Sequence, residues 1–329
     1  MERGATEMRA ALVTAKGGPE VIEVADQPIP EPGPGQLLVK VAAGGVNFID
    51  IYQREGVYPM EYPFVPGNEG AGTVEAVGEG VTTFGPGDRV GWSGTLGSFR
   101  EYHLVPADRA VAVPEDVDLE TAAAALLQGM TAHFLVHGTF PLGPGHRCLI
   151  HAGAGGVGLL LTQMAKMLGA EVATTVGSPE KAELSRAAGA DLVIDYTQSD
   201  FAAEIEAAWG PRPLDVVYDG VGASTFEKGL TLLKKRGMMV TFGNASGVVP
   251  PVAPLELMRN GSLFLTRPML YDYVAERADL ERRASDVFRW IAAGDLQVRI
   301  GGRYTLDQVA QAQVDLASRK TTGKLIVVL

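Results

Sequence analysis

The chain of 329 residues carries 28 Lys and Arg against 39 Asp and Glu, a net charge of −11, with 41 glycines and a single cysteine, Cys148. One cysteine excludes an intrachain disulfide and any zinc site built on two or more thiolates, and the acidic balance argues against a general nucleic-acid binder. With 46% apolar and 20% charged residues the chain has the material for sizeable cores, and no stretch approaches the roughly 18 apolar residues that would cross a bilayer.

In chain order, residues 1–7 (MERGATE) lack the apolar run of a secretory signal and read as a frayed extension or an upstream start. The first strand is expected to open at Met8. From there to about 107, short apolar segments such as 37–41 and 72–77 are broken by turn clusters, Pro32-Gly33-Pro34-Gly35 and Gly85-Pro86-Gly87-Asp88 among them. That alternation predicts a β-rich domain.

From about 119 to 268 the pattern changes. Six buried strand candidates, 148–152, 171–176, 191–194, 215–218, 238–242 and 263–266, are mostly separated by helical segments. Val157, Leu160, Leu161, Met164 and Leu168 recur at three- and four-residue spacings in the first of these helices. The fold class is therefore α/β with a doubly wound parallel sheet. After 271 come a long helix with Leu280, Ala284, Val287 and Ile291 on one face, a second helix over 306–318, and a strand over 325–329 that returns to the first domain.

The first strand of the α/β region runs into Gly153-Ala154-Gly155-Gly156-Val157-Gly158, which fits G-x-G-x-x-G between a strand and an amphipathic helix. Glycines there permit a tight turn and close approach of a pyrophosphate to the helix N-terminus. An NAD site usually places a carboxylate at the tip of the second strand. Here that tip is Gly177-Ser178, with Lys181 close behind. The pattern favours NADPH over NADH, with Glu180 expected to face solvent and an ordinary exposed Lys181 as the competing reading.

Further strings occur in order: Asn47-Phe48-Ile49-Asp50, Pro66-Gly67-Asn68-Glu69-Gly70-Ala71-Gly72, Pro86-Gly87-Asp88-Arg89-Val90, Gly129-Met130-Thr131, Phe242-Gly243-Asn244-Ala245-Ser246-Gly247 and Thr266-Arg267-Pro268. With the Gly-rich loop they resemble the medium-chain dehydrogenase/reductase superfamily, in its quinone oxidoreductase (zeta-crystallin-like) branch. The resemblance implies a GroES-like catalytic domain, 1–125 and 269–329, split around an NADPH-binding Rossmann domain, 126–268. It further implies a homodimer that reduces a small-molecule quinone or another electrophilic acceptor; the lack of a signal or span makes a cytoplasmic protein without membrane insertion the expectation, and the acidic charge one without nucleic-acid binding. Asn47, Phe48, Asp50, Tyr52 and Thr131 would meet the nicotinamide, and Gly155, Gly156 and Val157 the pyrophosphate. Gly177, Ser178, Lys181 and Tyr196 would meet the adenosine end, with Arg319 approaching the 2′-phosphate. Phe242, Gly243, Asn244 and Ser246 would face the cofactor from the strand tips, and Arg267 would join them.

Zinc enzymes of the superfamily use a Cys, a His-Glu pair and a further Cys or acid. This chain has Asn47 in the region of the first Cys and Asn68-Glu69 for the pair, so no metal is expected and Glu69 reads as structural. Cys148 reads as a small buried hydrophobe. His133 and His137 have metal-compatible spacing but no third ligand in view. Without a Lewis acid an alcohol is a poor substrate and a quinone a better one, being already electrophilic. Tyr52 and Tyr58 could stack on a quinone or simply pack, and Asn47 could donate to its oxygen; with Thr131 these form the catalytic set. The rival functions are NADPH-dependent reduction of an enal or enone double bond and a non-enzymatic, crystallin-like structural or RNA-binding role.

Overall fold

The computed structural model describes residues 6–329; residues 1–5, most of the expected extension, lie outside the described residues. The chain divides into two compact units, one made of the described residues up to Leu127 with Val274–Leu329, the other of Gln128–Tyr273.

In the first unit β1 (Glu7–Val13) pairs antiparallel with β2 (Ile22–Pro28), opening one residue before Met8 because Glu7 already lies opposite Pro28. Then follow β3 (Gln36–Val46), the short helix α1 (Phe48–Arg54), β4 (Glu69–Val77), β5 (Arg89–Ser93), β6 (Tyr102–Pro106) and β7 (Ala110–Ala112). Leu37, Val39 and Val41, alternating along β3, share a core with Val74, Val90, Trp92 and Val105. Each such side chain contributes roughly 1.5–3 kcal/mol on burial. Helix α2 (Leu119–Phe134) carries the chain out of this unit at Leu127.

The second unit follows the strand–helix rhythm of its sequence: β8 (Arg147–Ile150), α3 (Gly156–Met167), β9 (Glu171–Val176), α4 (Pro179–Ala187), β10 (Leu192–Asp195), α5 (Phe201–Trp209), β11 (Leu214–Asp219), α6 (Phe226–Leu232), β12 (Leu233–Thr241), α7 (Pro254–Arg259), β13 (Phe264–Thr266) and α8 (Leu270–Tyr273). The six strands form one parallel sheet in the order β10-β9-β8-β11-β12-β13. This is the doubly wound order with its switch point beside the first strand. Strand β8 ends at Ile150 rather than 152, since Ala152 takes a left-handed φ of 55° and starts the turn. The unit ends at Tyr273 rather than 268: the Tyr273 ring stacks on Phe134 with centroids 4.3 Å apart, which ties α8 to it.

The chain returns to the first unit through α9 (Arg277–Ala293), whose Leu280, Ala284 and Val287 are buried. β14 (Ile300–Tyr304), α10 (Val309–Ala317) and β15 (Lys324–Val328) complete that unit. The expected helix over 306–318 divides, because Thr305 and Gln308 cap a separate turn of 3-10 helix before α10. β15 lies between β14 and β3 in a seven-stranded sheet of path β14-β15-β3-β4-β5-β7, with β6 also pairing β3. The helix and strand cores meet through Val46, Phe99, Leu306, Val309, Leu325 and Val327.

Candidate functional site

In the first unit a polar cluster is buried at the start of α1. Asn47 caps this helix in an extended conformation, and its backbone N–H donates to Asp50 Oδ2 at 2.8 Å. Asp50 is wholly buried, and its Oδ1 accepts from Asn68 Nδ2 at 2.6 Å. Asn68 Nδ2 also donates to Gln53 Oε1 at 2.8 Å. Asn47 Nδ2 donates to Gly45 O (3.2 Å) and to Glu69 Oε1 (2.8 Å), while its Oδ1 accepts from Lys324 Nζ at 2.7 Å. Lys324 also donates to Glu69 Oε1, and Glu69 Oε2 accepts from the Leu127 N–H at 2.8 Å. Burial pushes the Asp50 carboxyl up to about 7 with help from the Glu69 charge; the Asn47 N–H, the Asn68 amide and the Lys324 charge oppose it.

Two of the expected nicotinamide residues are tightly held here. Asn47 is 5% exposed and both hydrogens of its amide have acceptors in the cluster, so donation to a substrate oxygen would cost it an existing bond. Asp50 has no exposed surface, and its oxygens already accept from the Asn47 N–H and from Asn68 Nδ2. Sequence reading missed Lys324, which looks like an ordinary strand lysine. A signal was present nonetheless: a Glu without its expected metal, if buried, requires another cation.

Outside this cluster α1 presents an aromatic face. Phe48 and Tyr52, four residues apart, have ring centroids separated by 6.1 Å, and Tyr52 meets Tyr58 edge-on at 6.1 Å. Phe48 and Tyr52 are half-buried and Tyr58 is exposed. Arg319 also belongs to this unit, exposed just after α10 with a left-handed φ of 58°.

In the second unit the expected nucleotide residues follow the carboxyl ends of the parallel strands, apart from Thr131, which is buried on α2. Gly155 caps α3 in an extended conformation, with Gly156 and Val157 in its first turn. A Cβ on Gly156 would overlap Gln128 Oε1, a buried oxygen with no hydrogen-bond partner among the described residues. A Cβ on Gly158 would overlap the Ala152 carbonyl. The loop is thus a bare backbone cradle at a helix N-terminus, suited to a pyrophosphate.

At the tip of β9, Ser178 Oγ caps α4 by accepting from the Lys181 N–H at 3.3 Å. Tyr196, after β10, brings its hydroxyl so near Gly177 that a Cβ there would stand 2.5 Å from it. Lys181 is half-buried, and burial lowers its pKa; Glu180 is exposed. This tip therefore offers an amine and hydroxyls, a set that fits a 2′-phosphate. After β12, Phe242 packs over Gly220, and Ser246 Oγ donates to Val221 O at 2.8 Å. Arg267, after β13, donates to Gly243 O at 3.0 Å and reaches the Asn244 amide.

The residues do not fit zinc. Asn47 and Asn68 are amides, and Glu69 is already bound by an ammonium and two N–H groups. The histidines are dispersed: burial and Arg100 push His103 down to about 3, and His151 Nδ1 lies 2.9 Å from Thr175 Oγ1. The His133 and His137 rings lie tilted by 43° with centroids 4.4 Å apart, and no group of three or more His, Cys, Asp or Glu among the described residues is arranged to hold a metal. Cys148 is fully buried inside β8, which pushes its thiol pKa up.

A GroES-like unit whose sequence is interrupted by a Rossmann sheet defines a dinucleotide-dependent oxidoreductase architecture. Two families match the chain, one described as alcohol dehydrogenase GroES-like domain over residues 33–115 and one as zinc-binding dehydrogenase over 156–281. A quinone oxidoreductase of Pseudomonas aeruginosa is 43% identical over 317 residues, 95% of this chain and 97% of the relative. A 2-haloacrylate reductase of a Burkholderia species is 39% identical over 326 residues, 97% and 98% of the two chains. The structure of Escherichia coli quinone oxidoreductase complexed with NADPH superimposes with a TM-score of 0.95 at 38% identity, covering 98% of this chain and all of the other. The chain belongs to the zinc-independent, quinone-oxidoreductase-like branch of the medium-chain dehydrogenase/reductase superfamily.

Proposed function

We propose that the protein is an NADPH-dependent reductase of quinones that works without zinc. The observation that carries this reading is the buried Asn47–Glu69–Lys324 cluster at the foot of an aromatic helix face. Such a site has no Lewis acid to stabilise an alkoxide, but it has flat rings for a planar acceptor that is already electrophilic. NADPH, when bound, supplies the hydride. The first unit acts as the catalytic one: Phe48, Tyr52 and Tyr58 hold the acceptor ring, and the proton comes from solvent or a polar side chain. The second unit acts as the NADPH-binding one, with its glycine cradle for the pyrophosphate and Lys181 for the 2′-phosphate.

The test is NADPH oxidation against a panel of quinones, enones and aldehydes, repeated with NADH. Turnover of quinones with NADPH is expected. Strong activity on the enone alone would replace the proposal by double-bond reduction, a second reading favoured by the 2-haloacrylate reductase relative. Tight RNA binding without turnover would replace both. Lys181→Ala should weaken NADPH about 10- to 100-fold, the worth of a charge-assisted hydrogen bond, and leave NADH unchanged.

The proposal extends to a cytoplasmic homodimer. β13 is an outer strand of its sheet, Phe264 on it is 55% exposed, and Leu255 (56%), Met258 (58%) and Met269 (53%) are exposed on the segments that precede and follow it in the chain. An exposed apolar edge strand favours pairing with a second copy. The cytoplasmic location is supported by the single, buried cysteine; among the described residues no helix is long and apolar enough to cross a membrane.

A further inference from the structure

Lys324 and Glu69 form an ion pair with side-chain exposures of 1% and 0%. Stability alone is a weak reason to keep such a pair, because apolar residues of similar volume commonly replace a buried ion pair at no cost or with a gain. What the pair does in this fold is geometric. Asn47 has one acceptor oxygen and two amide hydrogens, and Lys324 Nζ, Glu69 Oε1 and Gly45 O take all three. Rotating the amide would set its NH2 against an ammonium and its oxygen against a carboxylate. The side chain thus has one favourable orientation, at the residue from which α1 starts. Glu69 cannot retreat toward β3, since even a Cβ on Gly45 would overlap its carboxylate. Its second oxygen is held by the Leu127 N–H.

We propose that Lys324 is a positioning residue of the reductase: its ammonium, clamped by Asn47 Oδ1 and Glu69 Oε1, fixes the Asn47 amide and with it the helix that presents Phe48 and Tyr52 to the acceptor. The inference rests on the reading of this unit as the catalytic one. Lys324 touches neither acceptor nor cofactor and acts only through Asn47 and Glu69. Its charge offsets that of Glu69 inside the fold.

Lys324→Met by itself leaves Glu69 buried and unpaired and threatens folding. The informative variant is therefore the double one, Lys324→Met with Glu69→Gln, which removes both charges; Lys324→Arg is the conservative control. Thermal melts, NADPH titration, kcat and KM for a quinone, and hydrogen exchange over residues 47–54 are measured on all three and on the wild type. The double variant is expected to melt near the wild type and to lose about 100-fold in kcat, the scale of an ångström-sized misplacement of reacting groups. Exchange at Asn47 and along α1 should accelerate in the double variant, whereas Lys324→Arg should keep much of the wild-type kcat and exchange. A folded double variant with wild-type kcat and KM and unchanged exchange would overturn the proposal and leave Lys324 a structural residue. Should the wild type turn over no quinone, the functional reading falls by that result, while exchange along α1 still decides whether Lys324 positions the helix.

Discussion

Asp50 shows how far burial can move one side chain from its ordinary chemistry. Its carboxyl is pushed from 3.8 to about 7, chiefly by desolvation, even though it accepts from Asn47 N–H and Asn68. The folded protein therefore holds a proton that the unfolded chain releases between these two values. Stability should fall as pH rises through that window, by up to a few kcal/mol, and the contribution is constant below and above it. Asp50→Asn lacks the titration. Urea melts of both proteins from pH 4 to 8 should show the advantage of the wild type over the variant shrinking toward pH 7 and levelling beyond it. A difference that stays flat across the range would mean that Asp50 is already ionised near its ordinary value. Ionisation strengthens the hydrogen bond to the Asn47 N–H, so the same side chain trades solvation for a firmer start to α1.

Among the elements, the β8–α3 turn has the least tolerance. Gly158 lies on α3 where any Cβ would run into the Ala152 carbonyl, whereas a Cβ on Gly156 would meet only the end of the flexible Gln128 side chain. Gly158→Ala should therefore cost about 1–3 kcal/mol by overpacking, Gly156→Ala less, and both should weaken NADPH; melting and NADPH titration of the two variants check the order. This turn and the parallel sheet were legible in the sequence, because strand period, helix period and glycine spacing are local patterns. The first unit's cluster was legible only in part. Asn47, Asp50 and Glu69 stood out by their strings, but their partner Lys324 lies 277 positions from Asn47. Nothing in the run Lys324-Leu325-Ile326-Val327-Val328 marks its first side chain as buried. The inward turn of Asp50 was hidden for the same reason, since its surroundings come from Asn68 and from strands far along the chain.

For the whole molecule, the proposed homodimer is tested at the exposed apolar edge of β13. Phe264→Lys places a charge on that edge and should shift a dimer to monomer in sedimentation equilibrium without altering the melt of the Rossmann unit, because Phe264 is exposed in the single chain. A second consequence concerns time rather than space. The Rossmann unit has all of its sequence by Tyr273, whereas the first unit still lacks β15, which lies between β14 and β3 and brings Lys324 to Glu69. During synthesis the middle of the chain can fold first. Until residues 324–328 leave the ribosome, β3 has an unfilled edge and Glu69 has no counter-charge, so a nascent chain can carry a finished second unit while its first unit is still incomplete.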